Sequence, residues 1–93
     1  MNKLLKFLNQ KIRLYRAGVE YWVDLDDIIV PNNFKKSKVG KAKWKHKLDY
    51  WKKNGKFESK IMLNRDFVLV DGFSSVKIAY LHDVDKVPVY FVN

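Results

Sequence analysis

The chain has 93 residues and a formal net charge of +9, a length that predicts a single domain. Apolar residues make up 47% of it, enough for a hydrophobic core, so the composition excludes an intrinsically disordered chain. The absence of cysteine excludes disulfides, thiolate metal sites and a cysteine nucleophile. No apolar run approaches the roughly 20 residues of a membrane-spanning helix, and the start shows no signal-peptide pattern. We therefore expect a cytoplasmic protein that does not enter a membrane.

The excess of positive charge lies in one segment of the sequence. Residues 35–60 hold eleven of the nineteen basic residues against two acids, Asp49 and Glu58. Outside this segment eight bases balance eight acids. When positive charge that is concentrated on one element binds a phosphate backbone, counterions are released from the phosphates. Positive charge that is scattered over the surface mainly aids solubility. The asymmetry predicts a polyanionic partner.

The amino-terminal part predicts a helix or strand followed by a hairpin. Apolar residues recur at helical spacing over residues 4–12, but charged and apolar residues alternate over residues 11–16, which favours a strand. Ala17-Gly18 then forms a tight connection to a second strand over residues 19–25, with the glycine supplying a positive φ. Turn formers around a short apolar run predict a structured connection over residues 26–33.

A basic amphipathic helix is predicted next. Trp44, Leu48 and Trp51 fall at i, i+4 and i+7, and Asn54-Gly55 is a helix stop. Lysines occupy the other sides of this helix, and the lysines that precede it are expected in a loop. We therefore expect the tryptophans to pack in the core and the lysines to face solvent.

The remaining chain predicts a hairpin, a second helix and a final strand. The hairpin covers residues 61–70 with both arms buried, and the helix covers residues 73–81. Pro88 cannot donate a ladder hydrogen bond, so residues 87–92 should form an edge strand, or Pro88 should lie at a strand start. Strand, helix and strand should make a right-handed crossover with this helix on one face of a mixed sheet.

The order of these segments resembles a known family. The stretch DLDDIIVPNNF, then a polar helix, then IMLNRDFVLVDGFSSVKIAYLHDVDKVPVYFV, is similar to the ParB/sulfiredoxin superfamily, specifically to the ParB-like nuclease-type amino-terminal domain. The resemblance covers about residues 19–92. It implies one ParB-like domain over residues 1–93, with residues 1–18 as a helix or strand extension. The fold class is then α+β, a small mixed β-sheet with hairpins, a basic amphipathic helix and a carboxyl-terminal β-α-β crossover.

The resemblance also implies a phosphate or nucleotide site at the start of the second helix. ParB-type members carry glycine followed by Glu-Arg-Arg there, whereas this chain reads Gly72, Phe73, Ser74 and Ser75. Hydroxyls thus replace the arginines, and the lack of cysteine excludes the redox activity of sulfiredoxin-like members. What remains is a candidate anion site formed by a helix amino terminus and the residues Gly72, Ser74, Ser75 and Lys77. The simpler interpretation is that the serines satisfy the first turn, that Lys77 is solvated and that Asp71 is a helix cap or a turn residue.

Other polar groups in the sequence do not converge. His46 lies among lysines and His82 at a helix end, neither with an evident partner, so we assign no catalytic residue. Four acids precede the basic segment and alternate along a predicted strand, so we expect no metal site or cofactor there; they are Glu20, Asp24, Asp26 and Asp27. Trp22 and Tyr50 are the aromatic residues that we expect on the surface.

The leading functional interpretation is a ParB-like, non-catalytic module that binds nucleic acid, DNA rather than RNA, through phosphate contacts. The candidate contact residues are Lys35, Lys36, Lys38, Lys41, Lys43, Lys45, Lys47, Lys52 and Lys53. The segment lacks Arg and Gln, which commonly read bases, so affinity should exceed specificity. Three alternatives stay open: a residual ParB-type nuclease or nucleotide hydrolase that uses residues 71–77, a module for an acidic protein partner or for self-association, and a basic face that serves solubility alone.

Overall fold

The computed structural model describes residues 15–36 and 40–92. Its elements, in chain order, are strand β1 (Glu20–Asp24), a 3-10 turn (Leu25–Asp27), helix α1 (Asn32–Lys36), helix α2 (Lys41–Asn54), strand β2 (Ile61–Leu63), strand β3 (Leu69–Asp71), helix α3 (Phe73–Leu81) and strand β4 (Lys86–Phe91). The four strands form one mixed sheet in the order β1-β4-β2-β3. The predicted α+β class is confirmed.

One face of the sheet is buried against α3. Along β4, Val87, Val89 and Phe91 are inaccessible to solvent, while the residues between them are partly exposed, the two-residue period of a strand. The core cluster adds inward side chains from the other strands, the connections and α3: Val23, Leu25, Ile28, Ile61, Leu63, Phe67, Leu69, Val76 and Ala79. Burying these apolar side chains is the main force that holds α3 on the sheet.

β4 lies inside the sheet. It pairs antiparallel with β1 and parallel with β2, and β2 pairs antiparallel with β3. Helix α3 connects β3 to β4, as predicted. The parallel neighbour of β4 is nevertheless β2, so the crossover between these two strands contains both β3 and α3.

Pro88 occupies this interior strand, so the expectation of an edge strand is wrong. The amide of Val92 donates to the carbonyl of Leu63, and since backbone groups alternate, the nitrogen of Pro88 points to the same side. The residues that face Pro88 on that side precede β2, whose first residue, Ile61, pairs with Val89. The carbonyl of Ser59 there accepts a hydrogen bond from the Ser75 hydroxyl at 2.6 Å. The sheet therefore loses no ladder bond to the proline.

The first arm of the predicted amino-terminal hairpin lies mostly outside the described residues, which begin at Tyr15. Gly18 has the expected positive φ of 78°, and β1 forms after it. Tyr15 and Arg16, however, are not in a strand, and Ala17 makes a parallel bridge to Phe91. The Tyr15 ring stacks on that of Phe91 at 4.2 Å, which draws the chain toward the core instead of along β1.

The second hairpin is confirmed as β2 and β3. Its turn includes Phe67 at a positive φ of 64°. Its second arm is only partly buried, because Val70 is 46% exposed.

A further correction concerns Lys35 and Lys36, which belong to the short helix α1 and not to a loop.

Gly72 allows α3 to begin against the chain that enters β2. It has φ 91°, and a Cβ there would lie 2.8 Å from the Ile61 Cα and closer still to the Lys60 carbonyl oxygen. Gly55 also has a positive φ, of 68°, but nothing lies within 4 Å of its Cβ position. A substitution at Gly55 therefore tests backbone strain alone, whereas a substitution at Gly72 tests strain together with steric contact.

We expect Gly72→Ala to reduce the free energy of unfolding by about 2 to 4 kcal/mol, because it combines left-handed strain with overpacking against backbone. Gly55→Ala should cost about 1 kcal/mol, since it carries the strain alone. Urea unfolding monitored by tryptophan fluorescence measures both. Equal losses in the two variants would contradict the close approach at Gly72.

Candidate nucleic-acid interface

Helix α2 carries most of the lysine-rich segment. Gly40 precedes its first residue, and it ends where Gly55 turns left-handed and donates its amide to the Trp51 carbonyl at 2.8 Å. The predicted helix and its stop are thus confirmed. Lys52 and Lys53 occupy the last turn, where positive charge stabilises the helix dipole.

Aromatic and cation–π contacts hold α2 in place. The Trp51 ring stacks parallel to Phe57 with centroids 6.3 Å apart and lies 4.8 Å from the His82 ring. The Lys77 ammonium lies 5.3 Å from the centre of the Trp44 ring. No residue of α2 is fully buried, so the expectation that its tryptophans enter the core is wrong. The physical reason is that α2 packs mainly on α3, which itself covers the sheet.

Most of the candidate lysines face solvent. In the described part of the chain the exposed ones are Lys35, Lys41, Lys43, Lys45, Lys52 and Lys53, and none of these forms an ion pair. Lys38 and the side chain of Lys36 lie outside what is described. At about 100° per residue, Lys41, Lys45 and Lys52 project from one side of α2, which we call the lysine flank. Lys43 and Lys53 extend the positive charge around the exposed half of the helix.

Lys47 differs from the other lysines because it is already paired. Its side chain is 23% exposed, and its ammonium lies 3.1 Å from the Glu58 carboxylate and donates to the Ser59 hydroxyl. The Ser59 hydroxyl in turn donates to Glu58 at 3.0 Å. Hydrogen bonds from Lys47 and then Ser59 lower the pKa of Glu58 below its ordinary value. Lys47 therefore links α2 to the chain before β2.

The residues of the candidate anion site point in different directions. Ser75 is 2% exposed and donates its hydroxyl to the Ser59 carbonyl. Gly72 is the N-cap of α3, and its amide donates to the Asp71 carboxylate at 2.8 Å, so Asp71 does not cap the helix. Ser74 is 7% exposed, and Lys77 leans on Trp44. Only part of the predicted set thus shares one surface.

A cavity of about 640 Å³ opens at this turn. Gly72 and Ser74 line it, whereas Ser75 and Lys77 do not. Asp71 and Phe73, which flank Gly72, line it as well, and the other lining residues come from three segments that are distant in sequence: Phe34, Lys47, Ser59, Lys60 and Met62. Sequence reasoning assigned no role here to Phe34, Ser59 or Lys60, because no local motif links them to the turn. Two lysines and one aspartate thus line this cavity, but the Lys47 ammonium is paired with Glu58 and the Lys60 ammonium lies 4.8 Å from the centre of the Tyr90 ring.

Two of the four acids that precede the basic segment form cross-strand pairs between β1 and β4. Glu20 accepts a hydrogen bond from the Tyr90 hydroxyl at 3.1 Å, which raises the pKa of Tyr90, and Asp24 pairs with Lys86 at 2.8 Å. Within residues 15–36 and 40–92, no three His, Asp or Glu side chains lie close enough to hold a metal ion. In the same ranges, no helix has the length and apolar character needed to cross a bilayer.

Two solved structures share this arrangement of strands and helices. A Pnob8-like ParB-N domain, in one crystal form, aligns with 78% of this chain and 29% of its own, at a TM-score of 0.66 and 15% identity. The pNOB8-like ParB N-domain aligns with 81% and 28% of the two chains, at a TM-score of 0.63 and 18% identity. No family model and no curated protein matches the sequence. The chain therefore has the fold of a ParB N-terminal domain, as the resemblance implied, and spans less than a third of the chains that it matches.

The Lys47–Glu58 pair predicts a specific acid sensitivity. The pKa of Glu58 is lower in the folded state than in the unfolded state. Its contribution to the free energy of unfolding is therefore fully present above the unfolded pKa, about 4.3, and is lost as pH falls through the lower folded pKa. Glu58→Gln should therefore flatten the decline in free energy of unfolding between about pH 5 and pH 3. Urea titrations at several pH values measure this.

Lys47→Met serves as the partner control. In that background Glu58→Gln should change the acid dependence much less, because the largest cause of the pKa shift is gone and only the weaker hydrogen bond from Ser59 remains. The same pH dependence in wild type and Glu58→Gln would contradict the assignment.

Proposed function

We propose that the chain is a ParB-like, non-catalytic module that binds nucleic acid through the lysines of α1 and α2, with DNA preferred to RNA. The observation that carries this proposal is the exposed and unpaired state of the lysine flank and its neighbours. Ammonium groups without a carboxylate partner keep their full charge for phosphates, and each contact releases a counterion.

The dimensions of the flank suit a phosphate backbone. Lys41 and Lys52 lie eleven residues apart, which is about 16 Å along the helix axis. One DNA strand carries a phosphate about every 3.4 Å along the duplex axis, so the flank faces several phosphates at once. Lysine acts as a point charge and its stem is flexible, so this surface supports affinity and offers little discrimination among bases.

The non-catalytic part of the proposal is supported by the turn at the start of α3. The amide of Gly72 and the hydroxyl of Ser75 already have partners within the chain, and the Asp71 carboxylate stands where an incoming anion would be repelled. Two polar groups of the helix start are thus already satisfied within the chain, although no side chain caps the helix.

Binding should weaken steeply with salt, and the lysine flank should set the slope. Lys45→Ala with Lys52→Ala should lower the magnitude of the slope of log K against log salt by about 1.8 on duplex DNA, at about 0.9 per lost phosphate contact. Fluorescence anisotropy at several salt concentrations, with duplex DNA, single-stranded DNA and RNA, measures the slope and the preference.

The matched control is Lys60→Ala with Lys86→Ala, which removes the same charge from the sheet side of the molecule. It should change the slope by less than about 0.5. Equal effects of the two double variants would assign the binding to net charge alone, and salt-independent binding would overturn the proposal.

A residual nucleotide hydrolase is the second candidate. It is favoured by the cavity at Gly72, which Lys60 lines beside the paired Lys47 and where Phe34 and Phe73 provide aromatic surface. The Phe34 and Phe73 ring centroids lie 5.9 Å apart, too close to admit a planar group between them, so the two rings form one shared aromatic surface at the opening. Under this second candidate function, metal-dependent turnover requires the Asp71 carboxylate.

This second candidate predicts that ATP with Mg²⁺ shifts the amide resonances of Gly72 and Ser74 in the full chain. Lys60→Ala should weaken this response several-fold and Lys86→Ala should not, because only Lys60 lines the cavity. Turnover should disappear in Asp71→Ala. Unchanged spectra at millimolar ATP would contradict nucleotide binding and leave the binding module as the function.

A further inference from the structure

A second groove, of about 490 Å³, lies beside α3 and away from the turn at Gly72. Three segments form its walls: the connection after β1, helix α1 and helix α3. The lining residues are Ile28, Val30, Lys35, Phe73, Lys77, Tyr80 and Leu81. We call this the α3 groove.

The floor and one rim of the α3 groove are apolar, and part of that surface is open to solvent. Tyr80 is 46% exposed and Leu81 is 62% exposed. Phe73, Lys77 and Tyr80 follow one another at i, i+4 and i+7, so they form a single stripe about 10 Å long on α3. Neither the core nor the docking of α2 accounts for the exposed Tyr80 and Leu81, since α2 contacts Lys77 of α3 and His82 just after it.

The charge of the groove has one sign. Lys35 on α1 and Lys77 on α3 line it, and no carboxylate does within the part of the chain that the structure describes. The Trp44 ring, 5.3 Å away, holds the Lys77 ammonium at the rim. The cavity at Gly72 differs in this respect, because the Asp71 carboxylate lines it.

We infer that the α3 groove binds an acidic amphipathic helix of a partner protein. A stripe of about two helical turns with apolar anchors is the surface that receives a helix in groove-type recognition. Aliphatic side chains of the partner pack on Val30, Phe73 and Leu81, and carboxylates beside them pair with Lys35 and Lys77. This inference goes beyond nucleic-acid binding and does not depend on it.

The complementarity argues for a protein partner other than this chain or a nucleic acid. Among the described elements, α2 is basic and α3 forms the groove itself, so neither is an acidic amphipathic ligand. A phosphate backbone supplies charge but no aliphatic surface, and the apolar floor would stay in water. An acidic amphipathic helix satisfies both parts of the lining.

The test uses the full chain and a designed helical peptide of about four turns, with Leu at i, i+3, i+4 and i+7 and Glu elsewhere. Two control peptides carry Lys in place of Glu, or Ser in place of Leu. We expect the acidic Leu peptide to shift the amide resonances of Lys35, Lys77, Tyr80 and Leu81, and both control peptides to bind at least about ten-fold more weakly.

Matched variants separate the groove from the general charge of the protein. Leu81→Ser should weaken the acidic Leu peptide about ten-fold, whereas Val70→Ser, at another exposed aliphatic side chain, should change the affinity less than about two-fold. Lys35→Ala with Lys77→Ala should weaken it about five-fold or more, and Lys52→Ala with Lys53→Ala less than about two-fold.

Three results would overturn the inference. The first is an equal loss of affinity for the acidic Leu peptide in the Lys35/Lys77 and Lys52/Lys53 double variants. This result would assign peptide binding to the positive charge of the protein as a whole. The second is equal binding of the Ser-containing acidic peptide, which would remove the role of the apolar floor. The third is a shift of the Tyr80 and Leu81 resonances by single-stranded DNA as large as that with the acidic Leu peptide, which would assign the groove to nucleic acid.

Discussion

The arrangement of the molecule depends on the close packing of α3 against the three residues before β2. Gly72 has no side chain because the Lys60 carbonyl and the Ile61 backbone occupy the space where one would lie. At the same place the Ser59 carbonyl accepts the Ser75 hydroxyl, on the side of β4 where Pro88 has no amide to donate. The Ser59 hydroxyl, with Glu58, holds Lys47 of α2. One short segment thus positions both long helices.

The position of α2 explains how a small protein can display so much positive charge. The helix contributes no fully buried residue, and its attachment uses ring contacts and one ion pair. Its lysines other than Lys47 consequently stay exposed to water. Mutual repulsion among them costs some stability, which core burial on the sheet offsets. A basic surface attached outside the core is therefore compatible with folding.

The two concave surfaces beside α3 differ in chemistry although they share Phe73. The surface at Gly72 combines lysines with the Asp71 carboxylate and with the amino terminus of α3, where the Gly72 amide already donates to Asp71. The α3 groove combines lysines with exposed aliphatic and aromatic side chains. The lysine flank of α2 is a third, convex surface. A helix pair on one side of a sheet can in this way present separate sites to different classes of partner.

Local patterns in the sequence determined the helices, the hairpin and the location of the charge. The span of α3, the stop at Asn54-Gly55 and the β2–β3 hairpin depend on periodicity and turn chemistry within a few residues, so they were predictable. Tertiary packing decided the order β1-β4-β2-β3, the interior place of Pro88 and the half-buried state of Trp44 and Trp51. It also decided that Lys47 pairs internally and that Phe34, Ser59 and Lys60 meet Gly72. These outcomes depend on which distant surfaces bury one another, and helical spacing identifies an apolar face without identifying its neighbour.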